Sequence, residues 1–153
     1  MSVEAGDKAP EFEVEGVDGP IRSADFAGKP YVVYFYPKDD TSGCTKEAQD
    51  FTALAADFAQ LGLTVLGISK DSVASHRKFI AKYGLSIPLG SDPEGAVFER
   101  FGSWVEKSMY GRQYMGIDRS TFLIDKDGKV ARVWRKVKTN GHGAEVLKAA
   151  QSL

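Results

Sequence analysis

Apolar and polar positions alternate strictly over Glu11-Phe12-Glu13-Val14-Glu15, which predicts a short strand with one buried face. Gly16 to Gly19 reads as a turn, and Pro20-Ile21-Arg22 as its returning partner, an N-terminal β-hairpin. Tyr31 to Tyr36 is almost continuously apolar, as a strand covered on both faces should be. The run halts at Pro37. After a polar loop, Lys38 to Gly43, the residues Cys44, Ala48, Phe51, Leu54, Ala55, Phe58 and Leu61 recur at helical spacing. Leu63 to Ser69 is a second buried strand. Asp71-Ser72 then caps a helix reaching Tyr83, closed by Gly84.

Ile87-Pro88-Leu89 is a short extended piece. Asp92-Pro93-Glu94 reads as an N-cap, a first-turn proline and an acid, opening a helix to Phe101. Trp104 to Gly116 is expected to be irregular or weakly extended. Thr121 to Ile124, the turn Asp125 to Gly128 and Lys129 to Lys136 form a hairpin, and Ala144 to Ser152 a closing helix. Parallel strands joined by helices and finished by an antiparallel hairpin predict an α/β thioredoxin-like fold, a central mixed sheet flanked by helices. No repeat or linker divides the chain, so residues 1–153 are read as one domain.

Composition narrows the function classes. With 20 basic and 21 acidic residues the net charge is near zero, so nothing draws the chain to nucleic acid or an anionic membrane. No stretch approaches the roughly 20 apolar residues of a membrane span, and the start lacks the pattern of a secretory signal. One cysteine excludes an internal disulfide and fits a reducing cytoplasm. One Cys and two His also cannot build a thiolate-rich zinc site, so no metal is expected.

That cysteine, Cys44, is the candidate for chemistry. It lies on an apolar stripe, where a free Cys is often plain packing. It also lies in a helix's first turn, where free N–H groups and the helix dipole stabilise a thiolate. Lys38 and Lys46 are offset by Asp39, Asp40 and Glu47, so a reactive thiolate needs a cation from elsewhere in the fold. Pro37 would end the strand ladder, and Thr41 alone reads as a turn or cap residue. His76, among Ser75, Arg77 and Lys78, reads as solvated, and His142 as a cap. A Cys–His hydrolase is therefore disfavoured.

The combination Pro-x-x-x-Thr-x-x-Cys in YFYPKDDTSGCTKEAQDF resembles the active-site motif of the peroxiredoxins. Lys107 to Asp125 (KSMYGRQYMGIDRSTFLID), Val133 to Lys138 and the Gly-His before the last helix are similar to the bacterioferritin-comigratory-protein branch, or peroxiredoxin Q. The resemblance implies that Arg119 is the missing cation. It leaves Glu47 two readings: an anchor for Arg119, or an acid complementing the helix dipole. Trp104, Tyr110 and Met115 are candidates to wall a peroxide pocket, though such residues are more often packing.

The implied activity is thiol-dependent reduction of hydrogen peroxide and organic hydroperoxides through a Cys44 sulfenic acid, without metal, haem or flavin. Cys44, Thr41, Arg119, Pro37 and Glu47 form the expected site. Many members of the branch carry a resolving cysteine five residues on, where this chain has Gln49, or in the next long helix, Asp71 to Tyr83, which has none. The resemblance thus implies a one-cysteine cycle with an external reductant: thioredoxin, glutaredoxin or glutathione. It also implies a monomer or weak homodimer. The alternative is a redox sensor or relay that passes oxidation to a partner protein.

Overall fold

Five consecutive buried residues, Tyr31–Phe35, form the third strand of the chain and the axis of its main sheet. In the computed structural model, which describes residues 3–153, strands β1 (Glu13–Gly16) and β2 (Gly19–Arg22) make the N-terminal hairpin. Next come β3 (Tyr31–Phe35), α1 (Ser42–Gln60), β4 (Thr64–Ser69), α2 (Val73–Tyr83) and β5 (Leu89–Ser91). The chain continues through α3 (Ala96–Phe101), β6 (Trp104–Met109), β7 (Arg112–Ile117), β8 (Ser120–Ile124), β9 (Val130–Trp134) and α4 (His142–Ala150).

The main sheet has seven strands in the order β2-β1-β5-β4-β3-β8-β9. β3 runs parallel to β4 and antiparallel to β8. The apolar run needs no alternation because both of its faces are covered. Val32 and Tyr34 pack with Phe51 and Phe58 of α1, Phe79 of α2 and Val146 of α4. Tyr31, Val33 and Phe35 pack with Val97, Phe98 and Phe101 of α3 and with Phe12 and Val14. This is the thioredoxin-like sandwich expected, N-terminal hairpin included.

The pairing of β3 with β8 positions the site. Phe35, the last residue of β3, lies opposite Ser120, the first of β8. Antiparallel pairing therefore sets the loop leaving β3 beside the segment entering β8. That segment carries Arg119, whose carbonyl is tied down by the Val137 N–H at 2.9 Å.

Two expectations are corrected. Of its two expected forms Trp104 to Gly116 takes the extended one, and more regularly than expected: β6 and β7 form an antiparallel pair apart from the main sheet, in register from Trp104↔Ile117 to Met109↔Arg112. Tyr110 and Gly111 turn it with φ of 53° and 76°, a turn usually signalled by Asn-Gly. The helix after Asp92 also starts later than predicted, at Ala96, with Gly95 (φ 78°) as N-cap. Pro93 and Glu94 instead lie in a turn closed by the Gly95 N–H on the Asp92 carbonyl. Asp92 still caps α3 across that turn, its carboxylate accepting from the N–H groups of Val97 (3.0 Å) and Phe98 (3.1 Å).

Candidate active site

Helix α1 begins at Ser42 with Thr41 as an extended N-cap, so Cys44 is its third residue. Its backbone N–H belongs to the first turn, where such groups have no intrahelical acceptor. The side chain is packed: Cys44 is 1% exposed and shares a cluster with Ala48 and Phe51. Packing and placement in the first turn are both true of it.

The required cation is present. Arg119 donates from Nη2 to Cys44 Sγ at 3.2 Å and from Nη1 to Glu47 Oε1 at 2.7 Å. Guanidinium suits the task because it is permanently charged and holds its donors in a fixed fork. Gly43 leaves it room: a Cβ there would stand 3.2 Å from Nη2. Glu47 is buried on the α1 stripe one turn after Cys44, and its carboxylate accepts from Arg119. Desolvation pushes its carboxyl up to about 7 against the pull of Arg119. Burial pulls Arg119 down, but Glu47 and Cys44 outweigh it and raise the guanidinium. For Glu47 the desolvation prevails, because the cation it pairs with is shared with the sulfur and is itself partly open to water.

Of the acids that offset the loop lysines, Asp39 and Asp40 are engaged by other partners. Asp39 is buried, accepting from Tyr36 Oη (2.6 Å) and Ser75 Oγ (2.8 Å) and facing His76 Nδ1 at 2.7 Å. Asp40 accepts from Lys82 Nζ at 2.8 Å and from the Tyr83 hydroxyl. Lys46 in turn pairs with Asp50 at 3.1 Å. Thr41 is exposed and does not cap α1 through its side chain; its hydroxyl donates to the Lys38 carbonyl at 2.8 Å. Pro37, also exposed, directly follows Tyr36, whose N–H donates to the Ile68 carbonyl.

Both histidine readings are corrected. His76 is fully buried. The polar neighbours Ser75, Arg77 and Lys78 concealed that His76, Phe79 and Tyr83 recur at helical spacing, the signal that would have placed the ring inward. His142 is a buried first residue of α4, with Nε2 2.8 Å from Thr121 Oγ1. Burial pushes it down to about 4. Among the described residues the polar partner of Cys44 Sγ is Arg119, and neither histidine bonds to it. The walling residues are corrected too. Tyr110 is 97% exposed at the tip of the β6–β7 turn and Met115 is exposed. Trp104 packs against the α3 cluster with Lys70 Nζ 4.4 Å above its ring. No group of residues suited to hold a metal ion occurs among the described residues.

Residues 5–133 match the model of the AhpC/TSA family. The chain belongs to that family, the peroxiredoxins. It is 45% identical to Peroxiredoxin Bcp of Bacillus subtilis over 154 aligned positions, covering 100% of this chain and 98% of the relative. Peroxiredoxin Bcp of Escherichia coli is 42% identical, with 95% and 94% covered. A solved structure of Xanthomonas campestris Peroxiredoxin Q superposes with a TM-score of 0.89 at 45% identity, covering 92% of this chain and 90% of that one. This peroxiredoxin is therefore of the Bcp branch, a thiol-dependent peroxidase. It has a single thiol: Gln49 is exposed on α1, and α2 contains no cysteine. It is accordingly of the one-cysteine type.

Proposed function

We propose that the Cys44 thiolate attacks the distal oxygen of a hydroperoxide, ROOH. The S–O bond forms as the O–O bond breaks, giving the Cys44 sulfenic acid and RO⁻, which takes a proton to leave as water or an alcohol. The observation that carries this is the 3.2 Å contact from Arg119 Nη2 to Cys44 Sγ at the start of α1. A guanidinium beside the sulfur favours the nucleophilic form, and a donor so placed also stabilises charge developing on the leaving oxygen. Thr41 spends its proton on the Lys38 carbonyl, so its oxygen offers lone pairs to the peroxide O–H. Pro37 ends the strand and fixes the entry to the loop. Glu47 acts through Arg119, holding one arm of the fork while the other meets the sulfur.

Regeneration needs two equivalents of an external thiol. The first condenses with the sulfenic acid to a mixed disulfide and water; the second exchanges to free Cys44 and leave an oxidised disulfide. Glutathione, glutaredoxin and thioredoxin all fit this chemistry. We assign the protein to the cytoplasm, a reducing compartment that suits a lone thiol. There it would act in redox homeostasis as a monomer or weak homodimer, the whole chain forming one domain.

The test is intact-mass analysis after one equivalent of hydroperoxide, with and without glutathione. Sulfenic acid alone, and a glutathione adduct when thiol is present, are the expected products, with multiple turnover in a thiol-coupled assay. Peroxide consumption by Cys44→Ser at the wild-type rate would overturn the assignment. A stable adduct with one partner protein and negligible turnover would favour the relay.

A further inference from the structure

The segment Pro37–Gly43 presents Thr41 and starts α1, so its position decides whether Thr41, Cys44 and Arg119 converge. Its anchor lies in α2 and at the end of β4. The Asp39 N–H donates to Asp71 Oδ2 at 2.8 Å, and Asp71 is itself held by Ser69 Oγ at 2.7 Å. The Asp39 carboxylate receives Tyr36, Ser75 and His76. The ring of His76 reaches the other way as well, with Nε2 2.9 Å from the Gly90 carbonyl of β5. The ring of His76 thus bridges the loop carboxylate to the Gly90 carbonyl and ties the loop to β5. Burial pushes the Asp39 carboxyl up, but the His76 and Tyr36 bonds outweigh it and hold it below its usual range.

We propose that His76, which does not touch Cys44, is a positioning residue for the peroxidase reaction: through Asp39 it fixes the loop that aligns Thr41 with Cys44. This rests on the reaction assigned above to Cys44. Alkylation of a thiol needs a thiolate and access, but not the Thr41 alignment that a peroxide needs. Loss of the clamp should therefore lower the two rates unequally.

The experiment measures, for each folded variant, the second-order rate constants of Cys44 with hydrogen peroxide and with iodoacetamide at one pH. His76→Leu removes both ring contacts and is expected to slow peroxide at least tenfold while alkylation changes less than threefold. His76→Asn, whose amide keeps a donor near the Nδ1 position, is expected to recover most of the peroxide rate. If His76→Leu does not fold, Asp39→Asn decides the matter by the same ratio. Equal losses in both rates, no loss of the peroxide rate, or failure of His76→Asn to rescue would overturn the proposal. Slow peroxide reduction by the wild type would instead refute the assignment of Cys44, so the two failures are distinguishable.

Discussion

Glu47 grips Arg119 with only one of its oxygens: Oε1 accepts from Nη1 at 2.7 Å, while Oε2 is buried with no partner among the described residues. A carboxylate in that position is paired but under-solvated, and burying an ionised group without full hydrogen bonding is costly. The pair is therefore better read as a device for aiming a guanidinium than as a source of stability.

A pH dependence follows. The Glu47 carboxyl titrates at about 7 in the folded chain against 4.5 for an ordinary Glu, so the folded state binds the extra proton between those values. A group raised in this way contributes stability that is fully present below about pH 4.5 and is lost as pH rises through about 7. The loss is at most about 3 kcal/mol. Urea unfolding near pH 5 and near pH 8 should show wild type losing stability relative to Glu47→Gln, which lacks the titration.

Removing the guanidinium should hurt catalysis more than stability. Arg119→Ala is expected to slow oxidation of Cys44 by about a hundredfold or more, the effect of deleting one well-aimed donor. An orphaned buried charge ordinarily costs about 3–5 kcal/mol, but Glu47 can keep its proton instead, so the stability loss should fall below that range. Stopped-flow fluorescence and denaturant titration on the same preparation check both halves.

Gly43→Ala separates activity from stability in the opposite direction. Alanine is the better helix former by about 1 kcal/mol in a helix interior, so the melting temperature should hold or rise. Its Cβ would nevertheless stand 3.2 Å from Arg119 Nη2 and displace the guanidinium by a few tenths of an ångström. The peroxide rate should fall about tenfold.

Beneath the site, Tyr34 carries a buried hydroxyl with no partner among the described residues. Tyr34→Phe should be neutral or stabilising by up to about 1 kcal/mol, because no bond is lost. Gly67→Ala should destabilise by about 1–3 kcal/mol. Its Cβ would meet the Tyr34 ring at 2.7 Å and Leu89 at 2.9 Å, both fully buried. Chemical denaturation of the two variants tests this pair of opposite signs.

How much was legible in the sequence depended on whether the governing interaction was local. The run Tyr31 to Tyr36, the stripe from Cys44 to Phe58 and the Ser72 and Gly84 caps are patterns within one element, and they appear as expected; Leu61, the last residue expected in the stripe, instead ends α1 as an exposed C-cap. Arg119 beside Cys44 is a pairing of distant segments; charge counting in the loop gave only the need for it, and family resemblance supplied the residue. His76 reads as solvated because its immediate neighbours are polar, although its spacing to Phe79 points inward. The β6–β7 hairpin is not legible in the sequence because most of its side chains are exposed, which leaves no apolar alternation.

The opposition of Phe35 to Ser120 also sets where this chain can tolerate insertion. Cys44 and Arg119 are 75 positions apart, yet most of that length does not measure the gap between them. Exposed turns such as Tyr110-Gly111 could grow without moving either side chain. A single residue added within β8 has the opposite effect. Unless a bulge absorbs it, it turns the following side chains of the strand to the other face of the sheet, and restoring their register shifts Arg119 away from the thiol.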